Sequence, residues 1–145
     1  MKEKNSIPMR YADKKRIASK SKKLPSILIV EDELIIAHDL KFCLEQMGCK
    51  VVGIVTSGEE SIKAILIHHP DVVLMDIKLK GKMSGIEAAE IISQRWQIPI
   101  IYLSAYSELS LLQKIKKTNY CGYLSKPIAL TELKDSLENA LHIEI

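Results

Sequence analysis

Residues 71–76 read Asp-Val-Val-Leu-Met-Asp, a short apolar run with an acid directly after it. A continuous run of this kind is typical of a strand that is buried on both faces of a parallel sheet. Other apolar runs also lead to polar groups: Ser26–Val30 leads to Glu31 and Asp32, Ile98–Leu103 to Ser104, and Tyr120–Ser125 to Lys126 and Pro127. Parallel strands all finish at the same edge of a sheet, and in open α/β sheets that edge forms the binding crevice. We therefore expect these polar groups to meet.

Helical patterns separate the apolar runs, and this alternation indicates βαβ units and a parallel sheet. A further strand is predicted at about Lys50–Val55, which gives five strands and five helices. The first helix is predicted over Glu33–Met47, the second from its cap at Ser57 to His68, the third over Gly85–Trp96, the fourth over Glu108–Lys116, and the fifth from Leu130. One stripe of the first helix carries Ile36, Leu40, Leu44 and Met47, and one stripe of the fifth carries Leu130, Leu133, Leu137 and Leu141.

Composition and charge divide the 145 residues into two parts. Residues 1–24 hold nine basic residues against two acids, a balance of +7, whereas residues 25–145 are mildly acidic with a balance of −4. We expect residues 1–24 to be a basic, flexible arm and residues 25–145 to form one domain. Only 5% of the residues are aromatic, so the core should consist mainly of Ile, Leu, Val and Ala.

The sequence pattern argues against a membrane span, a signal sequence, a disulfide framework and a zinc site. No apolar run approaches the roughly 18 residues of a membrane span, and no apolar signal sequence follows the Lys-rich start, which predicts a cytoplasmic protein. The three cysteines, Cys43, Cys49 and Cys121, show no CxxC spacing, so neither a disulfide framework nor a zinc site is indicated.

The first chemical hypothesis concerns the acidic residues at the strand ends. Glu31 and Asp32 offer hard oxygen ligands of the kind that Mg²⁺ prefers, although acids at the surface after a strand are common without a metal. Asp76 is a stronger candidate because it follows a buried strand. It either caps the next turn or is a nucleophile, since Asp carboxylates form aspartyl phosphates.

The hydroxyl of Ser104 and the ammonium of Lys126 are the remaining polar groups at the predicted sheet edge. Ser104 is either an ordinary cap or a hydrogen-bond donor to a phosphoryl oxygen. Lys126 is either a solvated charge or the group that neutralises phosphoryl charge, which is much of what a protein contributes to phosphoryl transfer. The Lys126–Pro127 bond is a candidate for cis geometry, which would direct Lys126 into the crevice.

As a set, these residues resemble the receiver domain of two-component response regulators. The resemblance covers about Pro25–Ile145, and it implies a flavodoxin-like, doubly wound five-stranded parallel sheet of order 2-1-3-4-5. The supporting segments are Ile29–Glu33, Gly58–Glu60, Met75–Leu79, Ser84–Ala89 and Gly122–Pro127.

The resemblance also implies roles. Asp76 would accept a phosphoryl group from a phosphohistidine of a sensor histidine kinase or phosphotransfer protein. Asp32 and Asp76 would bind Mg²⁺ directly. Further roles are implied for Glu31 as a ligand through water, the Lys78 carbonyl as a ligand, Ser104 and Lys126 as contacts of the phosphoryl oxygens, and Tyr123 as an aromatic switch residue.

The switch would change the affinity of the face formed by helix four, strand five and helix five for a downstream protein target or, in a homodimer, for a second copy. Ser104 stands where many relatives have Thr, and the hydroxyl is retained. We also hypothesise that Lys78 and Tyr106, two residues beyond Asp76 and Ser104, hinder the hydrolytic water and lengthen the phosphorylated lifetime.

Four alternatives remain at this point. A Mg²⁺-dependent phosphatase of the haloacid dehalogenase type also uses an aspartyl phosphate, but it normally has a second Asp where this chain has Lys78. The chain ends soon after Leu141, which predicts output by protein contact unless it is a fragment of a longer regulator or hybrid kinase. The arm would attract nucleic acid by charge, yet it carries no recognition motif, so we do not expect nucleic acid as a partner. A receiver that has lost phosphorylation is disfavoured because every site position holds a competent residue. We expect a switch and not an enzyme.

Overall fold

The computed structural model describes residues 24–105 and 112–145, in which strands and helices alternate along the chain. The elements are β1 (Ser26–Val30), α1 (Leu34–Gln46), β2 (Lys50–Val55), α2 (Gly58–His68), β3 (Val72–Asp76), α3 (Gly85–Arg95), β4 (Ile100–Ser104), α4 (Leu112–Ile115), β5 (Tyr120–Ser125) and α5 (Leu130–Leu141). Residues 1–23, which hold most of the predicted arm, lie outside the described residues. So does the predicted start of the fourth helix, together with Tyr106.

The five strands form one sheet in the order β2-β1-β3-β4-β5, with every neighbouring pair parallel. This is the predicted order, and it confirms the predicted fold class. The register pairs Val30 with Met75 and Asp76 with Leu103, so that the ends of β1, β3 and β4 lie side by side. The groups that follow these strands are thereby brought to one edge.

Successive residues of each strand point to opposite faces of the sheet, so a hydrophobic core forms on both faces. In β3, Val73 and Met75 pack into the cluster under α2 and α3, whereas Val72 and Leu74 pack into the cluster under α1 and α5. All five residues of β3 are buried, as expected for a central parallel strand. Asp76 therefore ends a strand that is packed on both faces.

The helices pack the predicted stripes against the core with one exception, although Ile36, Met47 and Leu141 are only partly buried. Leu40 and Leu44 of α1 are buried, as are Leu133 and Leu137 of α5. Leu130, predicted on the same stripe, is instead 54% exposed at the first residue of α5. No helix in the described parts of the chain has the length and apolar character needed to cross a membrane.

The turn from β3 into α3 depends on a close approach of two backbone segments. The Gly85 N–H donates to the Ile77 carbonyl at 2.9 Å, and Ser84 caps α3 in a reciprocal capping box with Glu87. A Cβ atom on Gly85 would overlap the Asp76 carbonyl oxygen. The chain therefore needs glycine at this position to bring α3 against the end of β3.

We predict that Gly85→Ala lowers the free energy of unfolding by about 1–3 kcal/mol or more, since the added methyl group meets backbone and not a movable side chain. Urea unfolding measures the change. Gly53→Ala is the matched control, because its Cβ would lie 3.5 Å from a Leu28 methyl, an ordinary contact. Equal stability of the wild type and Gly85→Ala would contradict the close approach.

Candidate functional site

Lys126 lies among acids at the end of β5. Its Nζ is 2.8 Å from Glu31 Oε1 and 3.2 Å from Asp76 Oδ2. The Lys126–Pro127 peptide bond is cis, as predicted. The Asp76 contact is a hydrogen bond, whereas Glu31 Oε1 has the distance but not the alignment of one, so we describe that contact as an ion pair. The structure thus joins three residues that the sequence placed at separate strand ends.

Burial makes the charges of this group interact strongly. Glu31 is fully buried and Asp76 is 3% exposed. Burial raises the pKa of Asp76, the neighbouring Glu31 carboxyl raises it further by contact and by charge, and Lys126 offsets this only in part, so the pKa reaches about 7. Burial alone would lower the pKa of Lys126, but its contact with Glu31 and the charge of Asp76 raise it overall.

Asp32 completes a group of acids that fits a metal ion. Glu31, Asp32 and Asp76 each offer a carboxylate oxygen, and these oxygens lie within 4.8 Å of one another. Oxygen donors of this kind suit Mg²⁺, which binds through one or two carboxylates and keeps several waters. Because Asp32 is only partly buried, water reaches the group from its side.

The loop after β3 closes over these acids by its backbone. The Lys80 N–H donates to Asp32 Oδ2 at 3.0 Å, and the Lys78 N–H donates to Asp76 Oδ1 at 3.2 Å. The side chains of both lysines are exposed. The loop therefore orients Asp32 and Asp76, and this contribution had no signal in the sequence, since any residue except proline supplies an N–H.

The side chains of Ser104 and Tyr123 are hydrogen-bonded to each other. The Tyr123 hydroxyl donates to Ser104 Oγ at 2.9 Å, and Ser104 Oγ donates to the Ala105 carbonyl at 2.8 Å. Ser104 is fully buried. The two hydroxyl groups are thus in contact, with the ring of Tyr123 packed against the core cluster under α2 and α3.

A cleft of about 480 Å³ opens between the acids and the loop after β3. It is lined by Asp32, Glu33, Asp76, Lys78, Leu79, Lys80, Ala105 and Lys126. Of these, Glu33 was not predicted as a site residue, yet its carboxylate lies 3.7 Å from Lys126 Nζ. Its position directly after the two acids is the signal that would have found it.

A second, apolar groove of about 930 Å³ runs beside the cleft between α1 and the start of α5. Ile35 is 88% exposed on its wall and Phe42 is 63% exposed. Lys126 lines both the groove and the cleft, so the two are adjacent. Exposed apolar side chains concentrated in this way mark binding surfaces more often than chance.

Comparisons with known proteins agree with this geometry. Residues 27–138 match the family model described as the response regulator receiver domain. The chain is 34% identical over 115 residues to the transcriptional regulatory protein PdtaR of Mycobacterium tuberculosis, a match that covers 79% of this chain and 56% of that protein. The chain thus spans about half the length of the curated relatives it matches.

Solved structures show the same likeness. The signal receiver domain of a modulated diguanylate cyclase from Desulfovibrio desulfuricans superposes with a TM-score of 0.78 at 37% identity, covering 83% of this chain and 95% of that one. A response regulator receiver domain protein from Clostridium thermocellum superposes with a TM-score of 0.75 at 28% identity, and the match covers 82% of this chain and 95% of that one.

The raised pKa of Asp76 predicts a pH-dependent stability. Its ordinary pKa is 3.8 and its value in the fold is about 7. Between these pH values the unfolded chain gives up the proton and the folded chain keeps it, so stability falls as the pH rises from about 4 to 7. In metal-free buffer at pH 8, Asp76→Asn should therefore raise the free energy of unfolding by on the order of 2–4 kcal/mol.

Denaturant unfolding between pH 4 and pH 8 tests this prediction. The gain should shrink toward pH 4, because the carboxyl of the unfolded chain then begins to bind the proton as well. Asp135→Asn on α5 is the control, because Asp135 is exposed. A gain that is independent of pH, or equal for both variants, would contradict the assignment.

Proposed function

The chain belongs to the response regulator receiver domain family, and from this premise we propose that Asp76 accepts a phosphoryl group from a phosphohistidine. The donor would be a sensor histidine kinase or a phosphotransfer protein. The observation that supports this most is the position of Lys126, whose ammonium contacts the Asp76 carboxylate inside a group of buried acids. The match of the family model to residues 27–138 agrees with it.

The transfer balances without a further reactant. An Asp76 carboxylate oxygen forms a bond to phosphorus as the bond from phosphorus to the imidazole nitrogen breaks, and the electron pair of that bond stays on the ring. The nucleophile is the ionised carboxylate, so its proton must first be lost. Lys126 favours that ionised form and then faces the charge of the phosphoryl oxygens.

Asp32 and Asp76 would hold Mg²⁺, with Glu31 acting through water and the Lys78 carbonyl as a further ligand. When bound, the ion neutralises charge on the phosphoryl oxygens. The donor set of three carboxylates at one edge supports this assignment. The loop N–H groups of Lys78 and Lys80 keep two of the carboxylates in place for it.

Ser104 and Tyr123 would carry the signal outward. A hydroxyl has one proton, and Ser104 gives it to the Ala105 carbonyl. To donate to a phosphoryl oxygen, Ser104 must give up that bond, and because Tyr123 donates to the same Oγ its ring is drawn into the change. The face of α4, β5 and α5 would then alter its affinity for a downstream protein target or a second copy of this chain.

The donor protein would dock in the groove between α1 and α5. Lys126 lines both the groove and the cleft that holds Asp76. We therefore expect a partner seated on Ile35 and Phe42 to bring its reactive histidine close to Asp76. A helical surface with apolar side chains fits such a groove.

The remaining assignments concern lifetime and organisation. Lys78 and Tyr106 would restrict the hydrolytic water and so lengthen the phosphorylated lifetime. Residues 25–145 would form the receiver, with residues 1–24 as a basic arm. The chain would act as a switch and not as a phosphatase, since the haloacid dehalogenase mechanism needs a second acid where Lys78 stands.

We predict that acetyl phosphate with Mg²⁺ adds one phosphoryl group to the chain, as measured by intact mass. Asp76→Asn should add none, because an amide does not attack phosphorus. Omission of Mg²⁺ should slow the addition at least about tenfold, since charge on the phosphoryl oxygens is then left unpaired. Phosphorylation of Asp76→Asn at the wild-type rate would contradict the choice of acceptor.

Ile35→Glu should slow transfer from a protein donor at least about tenfold, because it places a charge in the apolar groove. The donor is a phosphorylated histidine phosphotransfer protein chosen from a panel by its activity on the wild type. Phosphorylation by acetyl phosphate should stay within about twofold of the wild type. The control is Ile67→Glu on α2, where the side chain is 71% exposed and far along the chain from the groove. Equal slowing by both variants would exclude the groove as the docking site.

A further inference from the structure

Glu33 occupies an unusual place at the mouth of the cleft. It is the N-cap residue of α1, yet its side chain makes no capping hydrogen bond. Its backbone N–H donates to Glu31 Oε2 at 3.1 Å, which fixes the position of its Cα over the buried acids. The side chain is 63% exposed and lines the cleft.

The carboxylate of Glu33 is close enough to Lys126 to affect its charge but not to bond it. The distance of 3.7 Å from Lys126 Nζ exceeds that of a hydrogen bond, and the ammonium already contacts Glu31 at 2.8 Å and Asp76 at 3.2 Å. One cation is thus shared by three carboxylates, and the outermost faces solvent.

We propose that Glu33 is a specificity residue that selects phosphoryl donors by charge. Its carboxylate stands where a donor enters, so it repels free dianionic phosphodonors. A phosphohistidine on a docked protein is less affected, because contacts in the groove between α1 and α5 hold it in place. This inference rests on the proposed function, since it names the class of donor that the same site favours.

The expected size of the effect follows from Coulomb interactions at the mouth of a hydrated cleft. A unit charge several ångströms from a dianion in a water-like medium changes the rate of encounter by roughly two- to tenfold at low ionic strength. A monoanionic donor feels half the energy, and therefore the square root of the factor. Molar salt removes both effects, because it shortens the screening length to about 3 Å.

Glu33→Gln tests the proposal with two small donors. Acetyl phosphate is a dianion at neutral pH and phosphoramidate is a monoanion. At saturating Mg²⁺, established by titration for each variant, the phosphorylation rate with acetyl phosphate should rise roughly two- to tenfold in low salt. The rate with phosphoramidate should rise by the square root of that factor, and both gains should vanish in molar salt. Transfer from the protein donor should change less than transfer from acetyl phosphate.

Glu45→Gln is the matched control, because Glu45 is an exposed acid at the other end of the same helix. It should leave all rates within about 1.5-fold, since about 18 Å of helix separate it from Glu33 and the Coulomb energy falls with distance. Equal gains in the two variants, equal gains with the two donors, or no gain for Glu33→Gln would each overturn the proposal while leaving phosphorylation of Asp76 intact. A wild-type chain that takes a phosphoryl group from neither donor would overturn the proposed function and this inference with it.

Discussion

One ammonium group among buried carboxylates is the constraint on which the site depends. Glu31 is fully buried and Asp76 nearly so, and two such charges repel each other in a poorly solvated place. Lys126 Nζ lies 2.8 Å from Glu31 and 3.2 Å from Asp76, and its positive charge offsets part of this repulsion. The offset is incomplete, because the pKa of Asp76 still reaches about 7. Further positive charge near Asp76 would therefore favour the ionised form of its carboxyl group. That is a physical reason for a divalent cation and phosphoryl chemistry to go together at this edge.

The backbone around Asp76 is built to hold this arrangement. The fully buried β3 fixes the residue from behind, and Gly85 allows α3 to approach its carbonyl oxygen. The N–H of Lys78 orients its carboxylate from the loop. These supports hold Asp76 from behind and from the loop, whereas the side chain of Glu33 lies exposed at the mouth of the cleft.

The fold and the inner site could be predicted from sequence because both rest on strand ends. Asp76 follows an apolar run, and similar runs precede Glu31, Ser104 and Lys126. If these runs are parallel strands of one sheet, the groups that follow them must lie at the same edge. The outer site could not be predicted in the same way. The approach of Glu33 to Lys126 depends on the direction of a side chain, and the exposed positions of Ile35 and Leu130 depend on where helices begin relative to the sheet edge. The capping box of Ser84 and Glu87 was readable from its spacing, whereas the need for glycine at position 85 arises only from the packing of α3.

The most direct measurement of the central claim is a crystal structure of the chain with Mg²⁺ and beryllofluoride, which mimics a phosphoryl group. The account predicts beryllium bonded to an Asp76 carboxylate oxygen, Mg²⁺ held by Asp32 and Asp76, and Lys126 Nζ in contact with a fluoride. Beryllofluoride bound at another residue, or Lys126 still paired with Glu31 alone and turned away from the fluorides, would contradict it.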